Sequence, residues 1–193
     1  MSDKIRSYTF DEYAEKVRSF HGYPAPGVLI GGYIVELAYR HIPKEGLYDV
    51  ICETEKCLPD AVQLLTPCTI GNSWLKVINT GRFALIIYDK ITGDGIRVFV
   101  DSQKLEAWPE IKAWFLKIKA KKEQDSELLL KQIRDAGTKI LSLQNIKVDI
   151  RSLKPKHSGT VAICPGCKES YPAADGALCL GCQGKIPYQT IQK

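Results

Sequence analysis

Seven cysteines in a chain of 193 residues carry most of the chemistry that can be read from residue types alone. Four of them form two C-x-x-C pairs, Cys164-Pro-Gly-Cys167 and Cys179-Leu-Gly-Cys182, with eleven residues between the pairs. Zinc prefers four soft ligands in a tetrahedron, and each pair supplies two sulfurs from one tight turn, where Gly166 and Gly181 relieve backbone strain. Four thiolates leave no open position, so this zinc is expected to be structural, ordering roughly thirty residues that cannot bury a core of their own. A redox C-x-x-C is the rival for either half taken alone.

Residues 53–71, ETEKCLPDAVQLLTPCTIG, place two more cysteines at the two ends of one short helix. Pro59 suits the first helical turn, where its missing N–H costs nothing, so Cys57 is expected at a helix N-terminus. There the partial positive charge of the helix end favours thiolate and makes the sulfur a better nucleophile and metal ligand. Pro67 stops the helix and Cys68 follows it. Eight residues span about 12 Å, so the two sulfurs share a ligand only if the loop folds back. Two ordinary buried cysteines are the competing reading. Asp60, in the first turn, is read as a cap, a ligand-orienting group or a base, which leaves Cys57 and Asp60 as the catalytic candidates. Cys52 lies within an expected strand and reads as core filler.

The run 53–71, the upstream FHGYPAPG (20–27) and the strands through Ile96-Arg97-Val98 resemble the FmdE family, named for a component of formylmethanofuran dehydrogenase, over residues 8–114. Residues 164–182 resemble the treble-clef or zinc-ribbon appendage of some members. The resemblance implies a metal-associated α+β core and frequent dimers, without a settled reaction. It also suggests a second, core metal site at His21, Cys57 and Cys68. His21 keeps the first histidine of the family pattern HGHxCPG, but Tyr23 stands where a second histidine is usual and Ala25 where a cysteine is usual. At most three good ligands then remain, which describes equally an open catalytic site and a degenerate one.

Composition sets the frame for these sites. With 45% hydrophobic residues the chain suits one ordinary domain and a small appendage, expected as residues 1–155 and 156–193. No apolar run reaches the eighteen or so residues of a membrane span, and the N-terminal MSDKIRSYTFDEY lacks the apolar centre of a signal peptide. A cytoplasmic protein without membrane contact is therefore expected, in which cysteines read as metal ligands or reactive thiols before disulfides. The net charge of +5 is unevenly spread: residues 1–110 hold 12 Lys and Arg against 15 Asp and Glu, and residues 111–193 hold 15 against 7. The basic C-terminal part permits an acidic partner.

The elements that must position the cysteines are expected as follows. Thr9-Phe10-Asp11-Glu12 has the form of a capping box opening a helix to about Phe20, with His21-Gly22 as its end. Residues 28–42 read as a buried helix whose start has free amides able to hold an anion, and Gly27, Gly31 and Gly32 allow close approach of another backbone or a ligand. After a strand at 47–53 and the cysteine helix, strands at 75–79, 83–88 and 96–100 joined by short turns argue an antiparallel meander. Helices at 108–120 and 125–135 follow, with Gly137 as a stop, then a strand at 147–153 and a linker at 154–159. Helices on either side of a run of strands make the class α+β.

The first functional expectation is an FmdE-like, metal-binding accessory protein associated with molybdenum or tungsten formylmethanofuran dehydrogenase in anaerobic one-carbon metabolism, in line with methanogenesis. Its expected partners are a second copy of itself, dehydrogenase subunits and a small-molecule ligand. The alternatives are a nucleic-acid-binding or regulatory zinc-finger protein and a stand-alone metal-dependent or thiol enzyme built on Cys57. The basic C-terminal half motivates the former, although after Cys164 only Lys168, Lys185 and Lys193 are basic. For the latter, nothing except His21 supplies the usual base beside such a nucleophile.

Overall fold

The structure, a computed structural model, describes residues 4–153 and 159–188. The chain divides into two compact units, Met1–Asp149 and Ile150–Lys193. In the first, the capping box at Thr9 opens α1 (Phe10–His21): Glu12 N–H donates to Thr9 Oγ1 and Thr9 N–H to Glu12 Oε2. Gly22 ends it in the left-handed conformation, at a φ of 91°. A second helix, α2 (Pro26–Arg40), begins on its proline and is buried over most of its length.

The glycines of α2 mark where other helices press against it. A β-carbon added at Gly31 would stand 2.6 Å from Ala61 Cβ, and one at Gly32 would stand 2.4 Å from Tyr13 Cε1. Ala61 belongs to α3 (Leu58–Leu65) and Tyr13 to α1, so the short helix that carries the cysteines and the N-terminal helix both dock on the glycine side of α2.

These helices pack with a five-stranded sheet, which confirms the mixed α+β class with a mostly antiparallel sheet. Its strands are β1 (Tyr48–Cys52), β2 (Leu75–Val77), β3 (Ala84–Asp89), β4 (Asp94–Val100) and β5 (Leu141–Lys147), in the spatial order β2-β1-β3-β4-β5. The expected meander is half right. Residues 89–94 do form the hairpin between β3 and β4, but β2 pairs parallel with β1, at the register Val50↔Leu75, and β3 lies on the other side of β1. The reason is α3: a parallel pair needs a crossover, and the cysteine helix is that crossover between β1 and β2. Residues 78–82 therefore do not turn a hairpin. They pass over the C-terminal end of β1, with Ile78 N–H on Cys52 O and Thr80 N–H on Glu53 O.

Two further expectations shift. The helix expected at 108–120 is α4 (Pro109–Phe115) only, because Lys117 takes a φ of 55° and Ile118 N–H returns to Ala113 O, which reverses the chain. Ile118, expected on its apolar face, is exposed. The strand expected at 147–153 ends where it was to begin, since β5 pairs with β4 from Leu141 to Lys147. Between them α5 (Ser126–Ala136) is capped by Asp125, whose carboxylate accepts from Leu128 N–H, and ends at Gly137 as expected. The expected linker lies, apart from Gly159, outside the described residues. Among the described residues no helix is long and apolar enough to cross a membrane.

The second unit is built around a hairpin of β6 (Val161–Ile163) and β7 (Ser170–Pro172). Tyr171 is buried and donates its hydroxyl to Gly176 O at 2.7 Å, tying the hairpin to the loop that follows.

Candidate functional site

The hairpin of the second unit presents Cys164 and Cys167 in its turn, where Cys164 N–H donates to Glu169 O and Lys168 N–H to Cys164 O. The loop after β7 returns with Cys179 and Cys182, and all four sulfurs lie within 4.8 Å of one another. Sulfurs at 2.3 Å from a tetrahedral zinc stand about 3.8 Å apart, and Cys167 Sγ lies 3.6 Å from Cys179 Sγ. Backbone amides already face the sulfurs: Cys179 N–H points to Cys164 Sγ at 3.5 Å and Cys182 N–H to Cys179 Sγ at 3.4 Å. The amides of Cys179 and Cys167 hold the Cys164 thiol down at about 6, so that sulfur is ready to bind as thiolate. Gly166 lets the knuckles close, since a β-carbon there would stand 3.1 Å from Cys182 Sγ. The donor set fits zinc: Cys164, Cys167, Cys179 and Cys182 would hold it, and the metal would supply cross-linking with no free coordination position.

The expected core site does not assemble. Among the described residues, the four-cysteine cluster is the one group of three or more His, Cys, Asp and Glu whose ligand atoms approach this closely. His21, Cys57 and Cys68 therefore form no such group, and the cause is the helix between the cysteines. α3 holds the two sulfurs at opposite ends, and the loop after it does not fold back. Cys68 is buried and turns its sulfur toward Tyr48 O at 3.7 Å. His21 instead meets Asp60, whose Oδ2 is 2.6 Å from His21 Nδ1. Asp60 thus pairs with the imidazole of His21. Cys52 is fully buried in β1, and burial pushes its thiol up to about 12.

Cys57 stands at the N-cap of α3 as expected, but in an unusual backbone. Its φ and ψ are 59° and −48°, and Leu58 N–H reaches back to Lys56 O at 2.6 Å, which makes Cys57 the centre of a strained γ-turn. α2 holds it there: a β-carbon at Gly27 would stand 2.8 Å from Cys57 Cβ and 2.9 Å from its Sγ. The expected thiolate is not favoured. Burial and then the Asp60 carboxylate, one turn along, raise the Cys57 thiol above its ordinary range against the smaller lowering pull of Lys56.

One wall of a cleft of about 1230 Å³ is formed by Gly27 and Cys57, together with residues 54–56 that leave β1. Phe83, Trp114 and Phe115 line it as well: Phe83 Cζ would stand 3.7 Å from a β-carbon at Gly27, and Phe83 and Phe115 meet edge to face with centroids 6.0 Å apart. Lys56 and Lys117 line it too, and Tyr23, half-exposed, stands beside it with its ring 5.2 Å from that of His21. Reading the sequence missed Phe83, Lys56, Trp114, Phe115 and Lys117 as site residues.

Comparison with known proteins agrees with this division. A solved structure from Syntrophus aciditrophicus, that of a tungsten formylmethanofuran dehydrogenase FmdE-like protein, is 55% identical, covers 98% of this chain and 100% of that one, and superposes with a TM-score of 0.90. A protein of Archaeoglobus fulgidus named "Probable S-adenosyl-L-methionine-binding protein" is 27% identical over 190 residues, 88% of this chain and 52% of its own, so the chain spans about half its length. The family profile "FmdE treble clef zinc finger" matches residues 155–189 and encloses the four sulfurs. The profile "FmdE, Molybdenum formylmethanofuran dehydrogenase operon" matches residues 20–148, running past residue 114, where the resemblance was expected to end, through α5 and β5. With sheet and cleft inside one profile and the zinc knuckles inside the other, the chain belongs to the FmdE family.

Proposed function

We propose that this chain serves a molybdenum or tungsten formylmethanofuran dehydrogenase in anaerobic one-carbon metabolism as a cytoplasmic accessory protein, with a small organic ligand in the core cleft and the zinc unit as its contact with the enzyme. The observation that carries this reading is similarity over nearly the whole chain to a protein described as tungsten formylmethanofuran dehydrogenase FmdE-like. A dimer belongs to the same proposal, supported by the edge strand β2, where Val77 and the flanking Trp74 and Ile78 are exposed.

The rival readings have less behind them. A lone thiol enzyme needs an activated nucleophile, whereas the Cys57 thiol is raised and His21 Nδ1 is taken by Asp60. Nucleic-acid binding needs a basic stripe, and the described part of the zinc unit sets Arg151, Lys168 and Lys185 against Glu169 and Asp175. The name of the Archaeoglobus relative points to S-adenosyl-L-methionine. That ligand carries a sulfonium and an ammonium group beside its carboxylate, and Lys56 and Lys117, which have no ion-pair partner among the described residues, disfavour the two cations.

The test is direct binding of the purified, zinc-loaded chain to a purified tungsten or molybdenum formylmethanofuran dehydrogenase by biolayer interferometry. A complex with a Kd of about 10 μM or tighter, weakened by Cys179→Ser, is expected. No binding at about 100 μM would remove the reading.

A further inference from the structure

The cleft beside Cys57 combines two features that select a ligand class. Part of its lining is aromatic: Phe83, Trp114 and Phe115 pack in a contiguous row, with centroids of Trp114 and Phe115 at 6.1 Å and of Phe83 and Phe115 at 6.0 Å. Among the described residues, three lysines, Lys56, Lys117 and Lys119, line it alongside a single carboxylate, Glu55. Lys119 is neutralised by Glu110 at 2.7 Å, but among the described residues neither Lys56 nor Lys117 has an ion-pair partner. Lys117 is also held in the left-handed conformation, at the helix-ending position where glycine is usual. A side chain kept at a backbone position that disfavours it is a departure from local rules of the kind found at sites.

We propose that this cleft binds a flat aromatic molecule carrying a carboxylate, sulfonate or phosphate group, with its ring against Phe83, Trp114 and Phe115 and its anionic group between Lys56 and Lys117. The aromatic lining offers stacking and apolar burial that tolerate many ring systems. The two lysines supply the orienting contacts that a mostly apolar pocket reserves for a few polar groups. The inference rests on the proposed reading of the cleft as a ligand site and adds the chemistry of the ligand.

Two fluorescent probes that differ in the anion separate the parts of the idea: 8-anilino-1-naphthalenesulfonate and its uncharged counterpart N-phenyl-1-naphthylamine. Each is titrated into the zinc-loaded full chain and into Lys56→Ala/Lys117→Gly. That variant is chosen because glycine suits the backbone at 117. The expected result is that the sulfonate binds the wild type, that the double variant weakens it about tenfold while changing the neutral probe less than about twofold, and that added salt weakens it only in the wild type. Bound sulfonate should also slow alkylation of Cys57, read by peptide mapping, which places it in this cleft. Equal loss of both probes, or a sulfonate affinity that ignores the substitutions, overturns the ligand class while leaving the cleft as a site. Failure of both probes to bind or to protect Cys57 overturns the ligand-site reading and this inference with it.

Discussion

Replacing Gly27 by alanine tests how α2 fixes the reactive corner of the cleft. The new β-carbon would meet Cys57 Cβ at 2.8 Å and Cys57 Sγ at 2.9 Å. Neither neighbour yields easily, because Cys57 is the centre of a γ-turn closed by the Leu58–Lys56 hydrogen bond and its carbonyl accepts from Asp60 and Ala61 at the start of α3. Overpacking of this kind costs about 1–3 kcal/mol. The better helix propensity of alanine returns at most about 1 kcal/mol, and less in a first turn. A net loss of about 1–2 kcal/mol is expected, or about 2–6 °C in melting temperature for a domain of this size. Cys57→Gly removes both clashing atoms and places glycine at a φ of 59°, so the double variant should recover most of the loss. A coupling of about 1–2 kcal/mol should appear in the double-mutant cycle. Cys57→Ser keeps the β-carbon and should not rescue. Denaturant unfolding of zinc-loaded protein, followed by the fluorescence of Trp74, Trp108 and Trp114, all within the core unit, reads each variant. If Gly27→Ala matches the wild type, or serine rescues as well as glycine, the close approach of α2 does not hold the turn.

Three further outcomes are expected. Chelation of zinc, or Cys179→Ser, should abolish protease resistance after residue 159 and leave the thermal transition of the core unit within about 2 °C; loss of the core transition would show that the two units do not fold separately. Glu53, nearly buried, receives two hydrogen bonds of 2.8 Å from Arg97 and an ion pair from Arg82. Those hydrogen bonds hold its carboxyl below the ordinary 4.5, so its contribution is complete above that value and is lost as pH falls through the lower folded value. Glu53→Ala should cost about 3 kcal/mol at pH 7 by leaving Arg97 without its carboxylate, and should flatten the acid limb of the stability profile; an unchanged acid limb would assign the acid sensitivity elsewhere. Alkylation of Cys57 by iodoacetamide should follow a pH profile displaced above the ordinary thiol value of 9.0, since burial and Asp60 raise it. A midpoint below 9.0 would mean that the helix end dominates after all.

Local signals in this chain reported local events faithfully. The capping box at Thr9 and Glu12, Pro59 opening α3, Gly137 closing α5 and the spacing of the four zinc ligands each depend on residues a few positions apart, and each appears as read. Partners distant in sequence were another matter. Residues 79–82 carry the composition of a hairpin turn, yet the pairing of β2 with β1 is decided by where α3 lays the chain down, which no short window contains. The expected core ligands show the same dependence: His21 and Asp60 lie 39 residues apart and find each other across two helices, while His21, Cys57 and Cys68 are not brought into one close cluster.

By itself the sequence determined the α+β class, the caps, the tetrathiolate knuckles and the family, because those follow from propensity, spacing and ligand chemistry. Only the tertiary structure decided that Cys57 is a raised thiol in a strained turn, that Asp60 answers to His21, and that Phe83, Trp114 and Lys117 share one cleft with it. Burial and close approach are properties of three-dimensional packing, and α2 creates the close approach at Cys57 by bringing Gly27 against it, while α3 sets the Asp60 carboxylate beside it.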